Sequence, residues 1–239
     1  MRRLFGLIFI ALSAAPAVGQ TPFRTVEPTP VPFDKPDTWT MHFGYYPIRI
    51  ATVDVPGRGK QPVWYLLGEI WNKTGSPQLV IPEFTLVSKD LDLPGSYPDE
   101  PMPAVVKQLI QIEDPKGIYD IQTATSVFKN KIPVTKADSV PNVVRVMAVW
   151  TTPPAKAASM NKFSVYIGGL SNGLIESETS DGGKVVRRKT LQLDFVKPTD
   201  TRNPRLDDIK IDDNNGLGGE KWYYRSASVK KPEAPKADK

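Results

Sequence analysis

One stretch of the sequence matches the pattern around a nucleophilic serine. Residues 169–173 read Gly-Leu-Ser-Asn-Gly, which fits G-x-S-x-G with Ser171 at its centre. In α/β-hydrolases this serine precedes a helix, and its histidine comes later in the chain. Here the residues after Gly173 favour strand and turn, and His42, the only histidine, comes before Ser171. The stretch therefore predicts a glycine-rich turn, and we expect no catalytic residue in it.

Two features have residue types that bind metal ions. His42 lies between Met41 and Phe43, and a lone histidine does not build a histidine-rich site, so we expect it to be packed or on the surface. An oxygen-rich run suits calcium better. It contains Asp207, Asp208, Asp212, Asp213, Asn214, Asn215 and Glu220. Counted from Asp212, glycine falls at the fifth place instead of the sixth of an EF-hand. We expect a solvated turn, with calcium as the alternative, and no cofactor.

Aromatic side chains could provide a platform for stacking sugars. Three of the five tryptophans, at positions 64, 71 and 150, fall in predicted core strands, where they serve packing. The pairs Tyr45-Tyr46 and Tyr223-Tyr224 could also contribute to such a platform, and the candidates for exposed positions are Trp39 and Trp222 alone. A carbohydrate-binding surface is therefore one of the functions that the sequence leaves open.

Composition excludes several classes of function. The formal charge is +5 from 31 basic and 26 acidic residues, and the basic residues are spread along the chain. This charge is too mild to predict binding to nucleic acid. The absence of cysteine excludes disulfides, thiolate zinc sites, cysteine nucleophiles and acylation at a cysteine.

The N-terminus has the pattern of a secretory signal peptide over residues 1–19. Arg2 and Arg3 precede a short apolar segment, Leu4–Ala15, and Ala17-Val18-Gly19 offers small residues for cleavage before Gln20. The apolar segment is shorter than the roughly 20 residues of a membrane-spanning helix. We expect export to the periplasm or beyond and no stable membrane insertion after cleavage; the mass of the exported protein would test this.

The most structured stretch is Val63–Val87, where two apolar runs flank the turn-rich residues 72–77. The first run is apolar at both alternating sets of positions, which is typical of a central strand covered on both faces. The stretch predicts a hairpin, with its second strand at an edge or bulged because of Pro82. Asn72-Lys73-Thr74 also matches a glycosylation acceptor, although a turn is the expected role.

Further strands are predicted along the rest of the chain. The predicted strand segments are residues 48–55, 118–128, 143–151, 163–167, 187–196 and 221–225, and residues 39–46 are expected to be the first ordered apolar segment. In 187–196 the alternation places Leu191, Leu193 and Phe195 inward and Thr190, Gln192 and Asp194 towards water. Residues 104–113 fit a helix or a strand equally well.

These segments predict an all-β fold, an antiparallel immunoglobulin-like β-sandwich with irregular proline-rich connections. The expected organisation is a signal peptide (1–19), an extended, poorly packed proline-rich lead-in (20–37), a β-sandwich domain (38–225) and a disordered basic tail (226–239).

Several blocks resemble a known group of proteins. They are TVDVPGRGKQPVWYLLGEIWNKTGSPQLVIPEFTLVSKD, VWTTPP, FSVYIGGLSNG and RRKTLQLDF, between residues 52 and 195. The first resembles the strand–NxTG–strand pattern of uncharacterised bacterial exported proteins with immunoglobulin-like domains, and the others resemble later blocks of that group. The resemblance implies a fold and a cell-envelope setting, and no catalytic residues.

Three functions remain open from the sequence. The first expectation is a non-enzymatic envelope protein, structural or interacting with another envelope protein or a polysaccharide. The alternative is a sandwich that binds carbohydrate or another small ligand. An enzyme that uses two carboxylates also stays open, since pairs across strands are invisible in sequence.

Overall fold

The structure is a computed structural model that describes residues 23–90, 95–136, 139–151, 160–178, 184–197, 209–213 and 218–226. The expected signal peptide lies outside these ranges, as does the expected tail apart from Ser226.

The described residues form thirteen strands and two helices. The strands are β1 (Arg24–Val26), β2 (His42–Tyr45), β3 (Arg49–Val55), β4 (Gly59–Trp71), β5 (Glu83–Ser88), β6 (Ser96–Pro98), β7 (Ile121–Thr123), β8 (Val144–Trp150), β9 (Lys162–Gly168), β10 (Leu174–Glu178), β11 (Lys184–Val196), β12 (Lys210–Ile211) and β13 (Glu220–Ser226). The helices are α1 (Pro103–Glu113) and α2 (Ala124–Val127). The expected all-β class is confirmed.

The strands form two facing sheets. Sheet 1 has the order β1-β2-β4-β8-β7, with β3 also beside β4; its pairs are antiparallel except β7 with β8. Sheet 2 has the order β10-β11-β9-β5-β6, with β12 and β13 on β11, and is antiparallel throughout. Rings meet across the interface, as where Trp64 of β4 lies 5.2 Å from Phe163 of β9 between centroids. The two sheets thus share one core.

Strand β4 is covered on both faces, as its sequence predicts. Trp64, Leu66 and Ile70 enter the core between the sheets. Val63 and Tyr65, on the other face, belong to a second buried cluster with Val105, Val106 and Leu109 of α1. Residues 104–113 therefore belong to a helix whose apolar side covers the outside of sheet 1.

The predicted hairpin within Val63–Val87 is wrong. Strand β4 belongs to sheet 1 and β5 to sheet 2, so residues 72–82 cross from one sheet to the other. The physical reason is that both edges of β4 are already paired, one with β2 and β3 and the other with β8. Strand β5 pairs with β6 and β9 instead, and Pro82 stays outside the ladder, just before the strand begins.

Strand β11 is the central strand of sheet 2. Its inward residues Leu191, Leu193 and Phe195 are fully buried, as predicted. The prediction that Thr190 and Gln192 face water is wrong, because they are only 6% and 4% exposed. On the same outer face, Gln192 has long neighbours. It lies between Tyr166 of β9 and Lys221 of β13, and its amide nitrogen donates to Asp194 at 2.6 Å. Long side chains of neighbouring strands thus cover the outer face of the sheet.

The described part of the lead-in packs against the sandwich, which corrects the expectation of a poorly packed segment. We call residues 23–39 the strap. Its strand β1 pairs with β2 at the edge of sheet 1. Arg24 forms an ion pair with Glu220 of β13 at 2.7 Å, and the indole of Trp222 donates to the carbonyl of Glu27 at 3.1 Å. The strap therefore joins the neighbouring edges of the two sheets.

A buried ion pair anchors the middle of the strap. Lys189 lies on the inward face of β11 and is 2% exposed, and its ammonium donates to Asp34 at 2.6 Å. The hydroxyl of Tyr224 donates to the other oxygen of Asp34 at 3.0 Å. Burial favours a higher pKa for Asp34, but these donors and the Val31 amide hold the pKa below its usual value. The carboxylate therefore stays charged opposite the lysine.

Leu193 tests the position of β11. Leu193→Ala should lower the free energy of unfolding by about 2–5 kcal/mol, because it leaves a cavity between the sheets. Thr52→Ala, at an exposed position of β3, should change it by less than about 0.5 kcal/mol. Urea unfolding followed by tryptophan fluorescence measures both. Equal losses in the two variants would contradict the placement of β11 in the core.

Candidate functional site

A pocket of 470 Å³ opens between the strap and the connection from β4 to β5. We call it the strap pocket. The rings of Trp39 and His42 line it on one side. Its polar lining comes from Asp37, Thr38, Thr40, Lys73, Thr74, Ser76 and Gln78. Three of the features selected from the sequence, namely Trp39, His42 and the Asn72-Lys73-Thr74 turn, thus meet in one place.

The G-x-S-x-G stretch holds the strap side of this pocket in position. The hydroxyl of Ser171 donates to the carbonyl of Trp39 at 2.5 Å, and the amide of Trp39 donates to Asn172 at 2.7 Å. Gly169 has φ +74°, and a Cβ there would come within 1.7 Å of the Ile81 carbonyl oxygen, so only glycine fits. Strand β10 follows this turn, as the sequence predicts. Ser171 therefore has a structural role, since its hydroxyl holds the backbone of Trp39.

The opposite side is set by Asn72, which is fully buried. Its side-chain nitrogen donates to the carbonyls of Ser76 and Ile132 at 2.8 and 2.9 Å. Its oxygen accepts from the amide of Thr74 at 2.8 Å. Because no face of this side chain reaches solvent, the glycosylation alternative is wrong and the expected turn is present. The turn presents Lys73 and Thr74 to the pocket.

His42 lines the pocket and is buried. This is the packed position, one of the two positions expected from the sequence. Its Nε2 lies 2.8 Å from Glu27 of the strap, and its ring centroid lies 5.5 Å from that of Trp71. Its Nδ1 is enclosed without a hydrogen-bond partner among the described residues. Burial lowers the pKa of His42, the charge of Glu27 opposes this, and Lys73 adds to the lowering. The net effect favours a neutral imidazole.

The aromatic candidates divide between core and surface. Trp64, Trp71 and Trp150 are buried, as expected. Trp222, expected as an exposed candidate, is buried at 5% exposure, because its ring lies beneath the strap. Trp39 is the one tryptophan of the five that stays partly exposed.

Three residues of the acidic run, Asp212, Asp213 and Glu220, lie within the described ranges. Glu220 accepts hydrogen bonds from Arg24 and from the buried hydroxyl of Tyr45, so its carboxylate is engaged. Asp212 lies 3.5 Å from Lys162. Asp207, Asp208, Asn214 and Asn215 lie outside the described ranges. No group of three or more potential metal ligands occurs in the part of the chain that the structure describes.

Sequence reasoning missed part of the pocket. Asp37 comes from the segment expected to be poorly packed, and Ser76 comes from the expected hairpin turn at 72–77. Thr38 and Gln78 lie just beyond those two segments. Neither segment has the alternation that would mark it as ordered. Trp39, His42 and the Asn72-Lys73-Thr74 turn were the only signals in the sequence.

No family model, curated protein or solved structure matches this chain. The resemblance to bacterial exported proteins with immunoglobulin-like domains therefore stays a hypothesis. Within the described ranges no helix is long and apolar enough to span a membrane.

Chemically, the strap pocket combines an indole with both donors and acceptors of hydrogen bonds. It carries one ammonium, Lys73, and one carboxylate, Asp37, besides neutral hydroxyl and amide groups. Ser171, the serine of the G-x-S-x-G stretch, donates its hydroxyl hydrogen bond to a backbone carbonyl. The arrangement suits the binding of a neutral ligand with many polar groups.

Because His42 is the only histidine, its pKa can be measured without interference from other imidazoles. The imidazole of His42 should titrate below about 6.5, the ordinary value for histidine, because its charged form is desolvated. Glu27→Gln should lower this pKa further, since it removes the opposing negative charge. Proton NMR of the one histidine measures both values.

The lowered pKa of His42 also makes the free energy of unfolding depend on pH. Because the unfolded chain takes up the proton first, the contribution of neutral His42 is present above about pH 6.5 and declines as pH falls towards the folded pKa. Burial raises the pKa of Asp99 to about 6, so its contribution to the free energy of unfolding changes with pH in the opposite direction. The contribution of His42 is therefore the difference between the pH dependence of wild type and that of His42→Gln. A pKa of His42 at or above 6.5 would contradict the buried, neutral state.

Proposed function

We propose that this protein is an exported, non-enzymatic β-sandwich that binds a carbohydrate or a similar small polar ligand in the strap pocket. One observation carries the proposal: Trp39, the only partly exposed tryptophan, lies in the same pocket as a ring of polar side chains. Aromatic rings give large contact areas at little entropic cost, while neighbouring hydroxyl and amide groups give orientation.

The size and charge of the pocket agree with this ligand class. Its volume of 470 Å³ falls within the range of about 300–1,000 Å³ that holds small ligands. Lys73 and Asp37 offset each other in formal charge, so the site has no strong preference for an ion. A neutral saccharide can both donate to and accept from such a lining.

Export and the immunoglobulin-like form of the sandwich belong to the same proposal. Export is supported by the charged, apolar and small-residue order of residues 1–19. The immunoglobulin-like form is supported by two facing, mainly antiparallel sheets around one core. A periplasmic or secreted protein of this kind would meet envelope polysaccharides.

A second candidate function is docking to another envelope protein. The observation that favours it is Phe33, which is 70% exposed and has φ +76° in a turn of the strap. A non-glycine residue in this conformation is strained, and such strain is often kept for function. In that case Phe33 would be the anchor of a protein contact.

Tryptophan fluorescence tests the ligand proposal, because Trp39 alone among the five is partly exposed. Neutral oligosaccharides, such as oligomers of glucose and of N-acetylglucosamine, should cause a saturable change in wild type. Lys73→Ala should weaken binding about tenfold, as the loss of about 1.4 kcal/mol in hydrogen bonding implies. The matched control is Lys60→Ala, at an exposed position of β4 far along the strand from this turn.

Trp39→Phe should remove the fluorescence change while leaving the protein folded. No saturable response to any saccharide of the panel, or an equal effect of Lys60→Ala, would contradict binding in the strap pocket. Loss of a protein partner in Phe33→Ser, with no saccharide response, would favour the docking function instead.

A further inference from the structure

The outer face of sheet 2 carries a second groove, separate from the strap pocket. Alternating residues that point away from the core line it, and its volume is 160 Å³. The lining includes Thr85 of β5, Tyr166 of β9, Arg188 of β11 and Arg225 of β13, with Glu83 at one side. Four adjacent strands thus contribute to one small polar depression.

Two arginines occupy directly opposite positions on neighbouring strands of this groove. Arg188 and Arg225 are register partners in the antiparallel pair of β11 and β13. Like charges directly opposite each other on neighbouring strands destabilise a sheet. The only carboxylate that lines the described groove is Glu83, which lies 3.5 Å from Arg188 and is 64% exposed at its side chain. Such an exposed pair gives little compensation, so the groove keeps a local excess of positive charge.

The guanidinium of Arg225 is already oriented. It lies over the ring of Tyr166, 3.9 Å from the centroid, and Tyr166 packs edge-on against Tyr223 with centroids 6.4 Å apart. Stacking on an aromatic ring reduces the rotamer freedom that an arginine loses when it binds a ligand. A planar, stacked guanidinium presents paired N–H donors, which match the oxygens of a carboxylate or a phosphate.

On these grounds, we propose that this groove is a binding site for an oxyanion, the carboxylate or phosphate group of an acidic ligand. Arg188 and Arg225 provide the charge and the forked donors, and the hydroxyl of Thr85 lies within the same lining. The groove is smaller than the usual range of small-ligand pockets, about 300–1,000 Å³, so it holds one anionic group and not a whole ligand. Binding removes the repulsion between the two arginines.

The inference does not depend on the strap pocket, because the two sites share no lining residue. The groove requires charge, whereas the strap pocket suits a neutral ligand. For an exported protein, the ligand class that fits best is an acidic or phosphorylated saccharide. The test therefore includes one saccharide with a carboxylate and one with a phosphate.

The test is a titration with inorganic phosphate, glucose 1-phosphate, glucuronate and neutral glucose at constant ionic strength, followed by NMR or calorimetry. Wild type should bind at least one of the anions saturably and at least tenfold more tightly than glucose. Arg188→Gln and Arg225→Gln should each weaken this binding at least tenfold. The matched control is Arg58→Gln, which removes the same charge from an exposed turn and should change nothing.

Two further variants sharpen the result. Arg225→Lys keeps the charge but loses the planar fork, so its affinity should fall between wild type and Arg225→Gln. Trp39→Phe should leave anion binding unchanged. Arg225→Gln should leave the fluorescence response to neutral oligosaccharides unchanged. These two crossed controls distinguish a failure of the groove from a failure of the strap pocket. Tighter binding of glucose 1-phosphate assigns a phosphate, and tighter binding of glucuronate assigns a carboxylate.

A linear, unsaturated response of wild type to all three anions would overturn the proposal. So would an equal loss in Arg58→Gln, since it would show a general effect of net charge. If one arginine variant fails to fold by circular dichroism, the other decides, because each residue is required independently.

Discussion

The fold depends on a charge that points into its own core. Lys189 continues the inward series of Leu191, Leu193 and Phe195 along β11, the strand to which four others of sheet 2 pair. An ammonium at 2% exposure is costly unless a carboxylate neutralises it. Asp34, distant in sequence, provides that carboxylate at 2.6 Å. Since the pKa of Asp34 is held below its usual value, the pair loses its charge only as pH falls through that lowered pKa.

This requirement turns a proline-rich segment into a structural part of the protein. To bring Asp34 to Lys189, the strap must run along the edges where the two sheets come close, and there it also pairs as β1 and covers Trp222. The same path places Trp39 and Asp37 opposite the Asn72 turn, and so creates the strap pocket. The proposed ligand site is therefore a consequence of how the sandwich is closed, while the groove around Arg188 and Arg225 depends on the outer face of sheet 2 alone.

The sequence predicted what local patterns encode. The double apolar run of β4 and the alternation of β11 revealed two central strands, because burial acts on each residue directly. The crossing from β4 to β5 was mistaken for a hairpin, because turn residues specify a change of direction and not the sheet that receives the next strand. The strap was missed because its anchors, such as Asp34 with Lys189, join residues far apart in sequence. Residue type alone selected Trp39 and His42, and only the fold placed the Asn72-Lys73-Thr74 turn beside them.

The central claim is that the pair of Asp34 and Lys189 anchors the strap, and a double-mutant cycle tests it most directly. Urea unfolding of Asp34→Asn, Lys189→Met and the double variant measures the coupling between the two side chains. The account predicts that Asp34→Asn, which leaves a buried charge unpaired, costs about 2–3 kcal/mol. Lys189→Met should cost less, and the double variant no more than Asp34→Asn alone. Losses that add within about 0.5 kcal/mol would contradict the claim.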